Sequence, residues 1–250
     1  MPDILASALS APGVGWLGLT IAVAGIVRGF SGFGTALIFV PVAGIFLEPE
    51  ITIALITLTG VASSGAPVPR AWGQADRGEV VLLGLAAMAT VPLGLWLLAQ
   101  LDRETVRWIV TGVAATTLGA LIVGWRFHGR LRRSGLAGIG ALAGLIGGLT
   151  GLTGPAVILF YLAGQGAARA VRANTILFLA MLDVAVIGSL LLRGSVGFET
   201  VILAMLLSAP HFVTTLVGQA LFDPRHERLY RAVAYGVIGL ALVTGLPIWD

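Results

Sequence analysis

Long apolar runs divide this chain, and the short gaps between them hold most of its charge. The runs fall at about 14–47, 51–69, 80–101, 105–125, 136–165, 172–192, 199–222 and 229–249. Most are close to the roughly 20 residues that carry a helix across about 30 Å of hydrocarbon. Only 11% of the residues are charged, against about a quarter in a soluble domain. Such a chain cannot clothe a water-facing surface, so lipid must be the solvent for most of it. Lipid cannot satisfy open backbone groups, and the period-2 alternation of a membrane barrel is missing. The expected fold class is therefore an all-α integral membrane protein.

The net charge of +3 does not point to nucleic acid. All fifteen basic residues are arginine, and they sit mostly in the gaps between spans, which is the ordinary topology signal of a membrane protein. The absence of cysteine excludes disulfides, thiol chemistry and cysteine metal sites. The N-terminal stretch MPDILASALSAPGVG has no basic region and is not read as a cleaved signal peptide. No gap is long enough for a soluble domain. HExxH, Walker and GxSxG motifs and usefully spaced carboxylate pairs are missing, and the three histidines are scattered. No catalytic residue, metal or cofactor is expected.

The chain repeats itself. VAGIVRGFSGFG at 23–34 lies over LAGLIGGLTGLTG at 142–154. Gly25 then falls on Gly144, Gly29 on Gly148, Ser31 on Thr150 and Gly32 on Gly151, each pair 119 residues apart. Gly78 falls on Gly197 at the same spacing, and Arg107 with Gly112 matches Arg231 with Gly236 after a slip of five residues. Two halves of one transmembrane domain, 1–128 and 129–250, are expected.

The first and fifth runs are too long for one ordinary span, and each carries a glycine break. If each crosses once, the loop arginines split seven against seven. If each is instead a hairpin of two short helices, followed by three spans, the halves are inverted and the split becomes eleven against three. On the sparse side only Arg103, Arg107 and Arg193 remain. The positive-inside rule prefers the second arrangement. It places the arginine-rich side in the cytoplasm and both termini outside, and it predicts broken or re-entrant hairpins.

Inverted repeats with interrupted helices recur in transporters, with the binding site near the bilayer midplane at the repeat interface. The breaks GFSGFGT at 29–35 and GLTGLTGP at 148–155 are the candidates. Glycine lets the backbone turn sharply, and a helix starting after a break aims free N–H groups and its positive end at the turn. Gly29, Ser31, Gly32, Gly34 and Thr35 from the first break, with Thr150, Gly151, Thr153 and Gly154 from the second, suit an anion. Isolated glycines more often permit close helix packing; it is the matched pair of breaks that points to a site.

Arg28 sits beside the first break, where its guanidinium can bind an oxyanion bidentately. Its repeat partner is Gly147. Snorkelling to an interface or a structural ion pair is the plain alternative. Asp183, central in its span, and His211, which follows Pro210, are candidate coupling or gating groups. Each could equally be a locally satisfied polar group. Asn174 is a further candidate ligand; Gln165 and Gln219 are weaker ones. Pro92 and Pro210 are expected to kink corresponding spans. WRFHGRLRR at 125–133 reads as an inside anchor between the halves.

On the segments GFSGFGTALIFVP (29–41) and GGLTGLTGPAVILFYL (147–162), followed by PEITIALITLTGVASS and RANTILFLAMLDV, the chain resembles the TauE/SafE family, the sulfite exporter family of bacterial membrane proteins. The resemblance covers nearly the whole chain. It implies transport of small sulfur-containing or organic anions such as sulfite, sulfoacetate or related sulfonates. Phe30 and Phe33, and Leu149 and Leu152, replace the usual glycine run of that family and would line the pocket. The reading is an inner-membrane secondary transporter working by alternating access, with a small anion and the bilayer as partners. A homo-oligomer is compatible with it. A passive anion channel is the alternative within transport. A non-transporting assembly factor or scaffold is disfavoured by the small extramembrane surface.

Overall fold

The computed structural model describes residues 10–64, 68–124, 132–155, 157, 159, 160 and 168–248. Every regular element among them is helical: α1 Val14–Ser31, α2 Thr35–Phe46, α3 Pro49–Ser64, α4 Val68–Trp72, α5 Arg77–Leu98, α6 Arg103–Val123, α7 Arg133–Thr150, α8 Ala168–Leu192, α9 Phe198–Leu221 and α10 Glu227–Gly245. A single 3-10 turn, Pro224–His226, precedes α10. The basic cluster at 125–131, the segment 161–167 and Gln165 with it lie outside the described residues.

Five described helices, α1, α5, α6, α8 and α9, are long and apolar enough to cross a membrane. Large apolar side chains cover the outside of the bundle, as at Leu192, Met205 and Leu240. Asp183, His211 and Asn174 are buried inside it. This inversion of the soluble pattern is what lipid as solvent requires. The chain is a multi-pass integral membrane protein.

Asp76 and Asp102 cap α5 and α6 by accepting hydrogen bonds from the amides of Glu79 and Thr105, which fixes where two spans begin. The first long run breaks as expected. After α1, Gly32 (φ 80°) and Gly34 (φ 101°) adopt the left-handed backbone that glycine enters without a Cβ penalty. The twelve residues of α2 rise about 18 Å, too short for a full crossing. Gly13, just before α1, lies against the Phe46 ring at the end of α2. The pair is thus a hairpin that returns to the end of the bundle it started from.

That same end holds Arg103, Arg107 and Arg193, and each of them clasps a helix C-terminus. Arg103 donates to the carbonyls of Gly44 and Ile45 at 3.0 and 2.7 Å and pairs with Glu48 at 3.7 Å. Arg107, expected in a loop, is buried and donates to Gly245 and Leu246. Arg193 donates to Leu95 and Pro92. A cation at the negative end of a helix satisfies otherwise orphaned carbonyls. At the opposite end Phe30 and Phe222 stack on Tyr230, and Arg77 lies over Trp72.

Packing between the helices is reciprocal. On α9, Gly25 and Gly29 of α1 sit where a Cβ would overlap His211–Thr214 and Thr215–Gly218. On α5, Gly144 and Gly148 of α7 sit where a Cβ would overlap Ala87–Thr90 and Val91–Gly94. Small residues let backbones approach closely where lipid offers no hydrophobic drive for association. Thr90 Oγ1 also bridges to the Ala141 carbonyl at 2.7 Å, a contact type worth about 0.6 kcal/mol in membranes. Pro92 and Pro210 lie inside these two helices at different levels. Thr90 and Thr214 occupy matching contacts, so one proline follows its threonine and the other precedes it.

Candidate functional site

The first break lies within reach of two buried titratable groups, Asp183 and His211. Ser31 Oγ donates to the Val27 carbonyl at 2.6 Å and accepts from the Phe33 amide at 3.3 Å. The hydroxyl proposed from sequence as a ligand is thereby committed to closing the turn. Thr35 opens α2, is buried, and places Oγ1 3.5 Å from Nε2 of His211 on α9. The first amides of α2 have no preceding turn to bond to. Arg28, in the last turn of α1, is half-buried.

Asp183 projects from the middle of α8 onto α3. Its Oδ2 lies 2.7 Å from where a Cβ on Gly60 would stand, so only glycine at that position lets the carboxylate seat against the helix. Arg28 is within electrostatic range of both Asp183 and His211. Arg28 and Asp183 nonetheless form no salt bridge, and among the described residues neither side chain has a hydrogen-bond partner. His211 lines an open-sided cavity of about 260 Å³ with Thr59, Ala62, Ser208, Ala209 and Phe212, of which Ala62, Ala209 and Phe212 are exposed.

The second break has the same lock and different neighbours. Thr150 Oγ1 donates to Ile146 at 2.7 Å and accepts from the Leu152 amide at 3.2 Å. Gly151 (φ 72°) is its only left-handed glycine, and it packs on Ile53 and Ile56. Thr153 lies against Gly147. Gly154 ends the break, half-buried. Leu149 and Thr150 line a small cavity of about 20 Å³ with Thr52 and Arg107, room for about one water.

The two breaks therefore face different neighbours. The structure brings Arg28, Thr35, Asp183 and His211 together. Gly29 and Gly32 serve packing and the turn, and Asn174 stands apart, accepting from the Asp76 amide at 2.9 Å and donating to Glu79 at 3.2 Å. Of the bulky residues in the breaks, Phe30 turns to Tyr230, Leu152 is fully buried and Leu149 lines only the small cavity. Thr59, Gly60 and Ser208 were not singled out from sequence. Gly60 carried a faint signal as the lone glycine of ITLTGVASS; the hydroxyls carried none.

The model of the family described as Sulfite exporter TauE/SafE matches residues 17–245. The chain belongs to the TauE/SafE family. That is a family of membrane transporters and not of enzymes, so this is a membrane transport protein, and its apolar helices suit the bilayer. No curated protein and no solved structure matches the chain.

Proposed function

We propose that this protein is a secondary transporter of a small anion, sulfite, a sulfonate or a related organosulfur compound, and that the first break is its binding site. One observation carries the reading: a guanidinium, the N-terminus of a broken helix and a buried histidine that lines a cavity of about 260 Å³ stand together at the first break. Arg28 and the free amides of α2 supply donors for an oxyanion. Thr35 and His211 orient it. Asp183 and His211 carry coupling protons.

The halves 1–128 and 129–250 are inverted repeats, and they rock about this site to give alternating access. The reciprocal packing of α1 on α9 and α7 on α5 supports that reading. So does the sorting of Arg103, Arg107 and Arg193 to one end. In the inner membrane this end faces the periplasm, together with both termini, and the arginine-rich end faces the cytoplasm.

Counterflow in proteoliposomes tests the proposal. Preloaded unlabelled sulfite should accelerate uptake of labelled sulfite. A passive channel gives flux without that trans-stimulation, and a scaffold gives no flux. The pH dependence of flux should flatten in Asp183→Asn; a wild-type profile in that variant removes the coupling role.

A further inference from the structure

We propose that the small cavity beside the second break is a binding site for a single-atom anion, a halide such as chloride. The site is independent of whatever the first break carries.

Thr57, Thr59, Thr117 and Thr150 each donate to the carbonyl four residues back, an outlet open to any hydroxyl inside a helix. Thr52, one turn into α3, does not use it. Its side chain is buried, with the residue 2% exposed, and among the described residues its Oγ1 has no hydrogen-bond partner. It lines the cavity of about 20 Å³ with Arg107, Gly44, Leu149, Thr150 and Gly245. A buried hydroxyl without a partner is costly, and here it borders a space large enough to hold one.

Charge decides what that partner is. Arg107 is buried too and brings a guanidinium to the wall, where its Nη2 holds the Gly245 and Leu246 carbonyls. α3 begins at the cavity with Pro49, so its positive end is turned the same way. No acidic side chain lines the space among the described residues. Glu48, just before α3, is exposed and paired with Arg103. A water accepting from Thr52 and Arg107 would still have two protons to place. The wall glycines are poor outlets for them, since Gly44 already accepts from Arg103 and Gly245 from Arg107. An anion has no protons to place.

Size narrows the class. The cavity has room for about one water, and none of the residues lining it is exposed. A halide is a single atom slightly wider than a water, whereas sulfite and the sulfonates are too large. The wall also comes from both halves, with Thr52 and Arg107 from the first and Leu149, Thr150 and Gly245 from the second. A halide seated there ties the halves together at the end of the bundle that holds Arg103, Arg107 and Arg193.

Thermal unfolding of the purified full-length protein in detergent tests this, with chloride or bromide replacing gluconate at constant ionic strength. Halide should raise the unfolding temperature by roughly 5 °C at a hundredfold excess over its Kd. Thr52→Val keeps the side-chain volume and removes the hydroxyl. It should weaken halide binding at least tenfold and leave stability in gluconate unchanged, because that hydroxyl has no partner to lose. Thr111→Val removes another buried hydroxyl without a partner, one that does not line the cavity, and should leave the halide shift intact. No difference between halide and gluconate overturns the site. So does a shift that survives Thr52→Val at full size, or one lost equally in Thr111→Val. If Thr52→Val fails to fold, anomalous diffraction from a bromide-soaked crystal of the wild type decides. A peak between Thr52 and Arg107 is expected there, and a peak elsewhere or none overturns the proposal.

Discussion

At the first break Ser31 bonds back to Val27 and forward to Phe33; at the second Thr150 bonds back to Ile146 and forward to Leu152. A left-handed glycine follows each, Gly32 and Gly151. Beyond that shared lock the two diverge. Gly34 takes a second left-handed turn at the first break, where the matching residue of the second is Thr153, a β-branched residue that such a backbone would strain. Arg28 stands where the second has Gly147, whose missing side chain leaves room for Leu182 and Thr153. The first break looks onto His211 and the charge of Asp183, while the second is buried on Ile53 and Ile56. The same backbone turn stands in both places, and a charged side chain on the preceding helix stands beside only one. Repetition of a backbone motif thus does not imply repetition of its chemistry.

The largest effect that would break this contrast lies at Arg28. Removing a hydrogen bond to a charged group costs about 1.5–3 kcal/mol, so Arg28→Ala should weaken substrate binding roughly 10- to 100-fold. Thr150→Val at the other break should leave affinity unchanged. Equal losses at both, measured by calorimetry, would make the second break part of the site.

Next in size is the backbone. Gly34→Ala puts a Cβ into the left-handed region and should cost roughly 1–2 kcal/mol, read as a lowered unfolding temperature in detergent. Thr153→Gly should cost far less, since its position has no such backbone. The shared lock comes third. Ser31→Ala and Thr150→Val each remove the hydroxyl's bonds back and forward along the chain, with losses of about 0.5–1.5 kcal/mol per bond that should match each other; a loss at only one would show that the locks are not equivalent.

The smallest effect separates the caps of α6 and α10. Asp102 accepts from the Thr105 hydroxyl and amide, and these bonds hold its carboxyl below the usual carboxylate range. A depressed folded value means that its contribution is complete above the ordinary value near 4 and fades as pH falls below it. His226, which caps α10, makes no side-chain cap bond. Asp102→Asn should therefore soften only the acid limb of thermal stability, with no matching change in His226→Asn.

Much of this was legible in the chain. Apolar run lengths predicted each long helix to within a few residues, because span length is set by the bilayer and not by neighbours. The breaks were legible too, since Gly32 and Gly34 interrupt a run that otherwise continues as helix. The short helix α4 was not, because five residues of VPRAW carry no period.

Membrane solvent, helical spans, two glycine breaks and the sorting of arginines could be read from the sequence by itself, since all follow from the order of apolar and charged residues along one dimension. Only the tertiary structure decided which break holds the charge, that Asn174 belongs to the start of α5, and that Gly60 makes room for Asp183. Arg28, Asp183 and His211 come from helices far apart in the chain, and no periodicity records which faces will meet. Close packing of small residues sets those faces, and with them which charged side chains the first break meets.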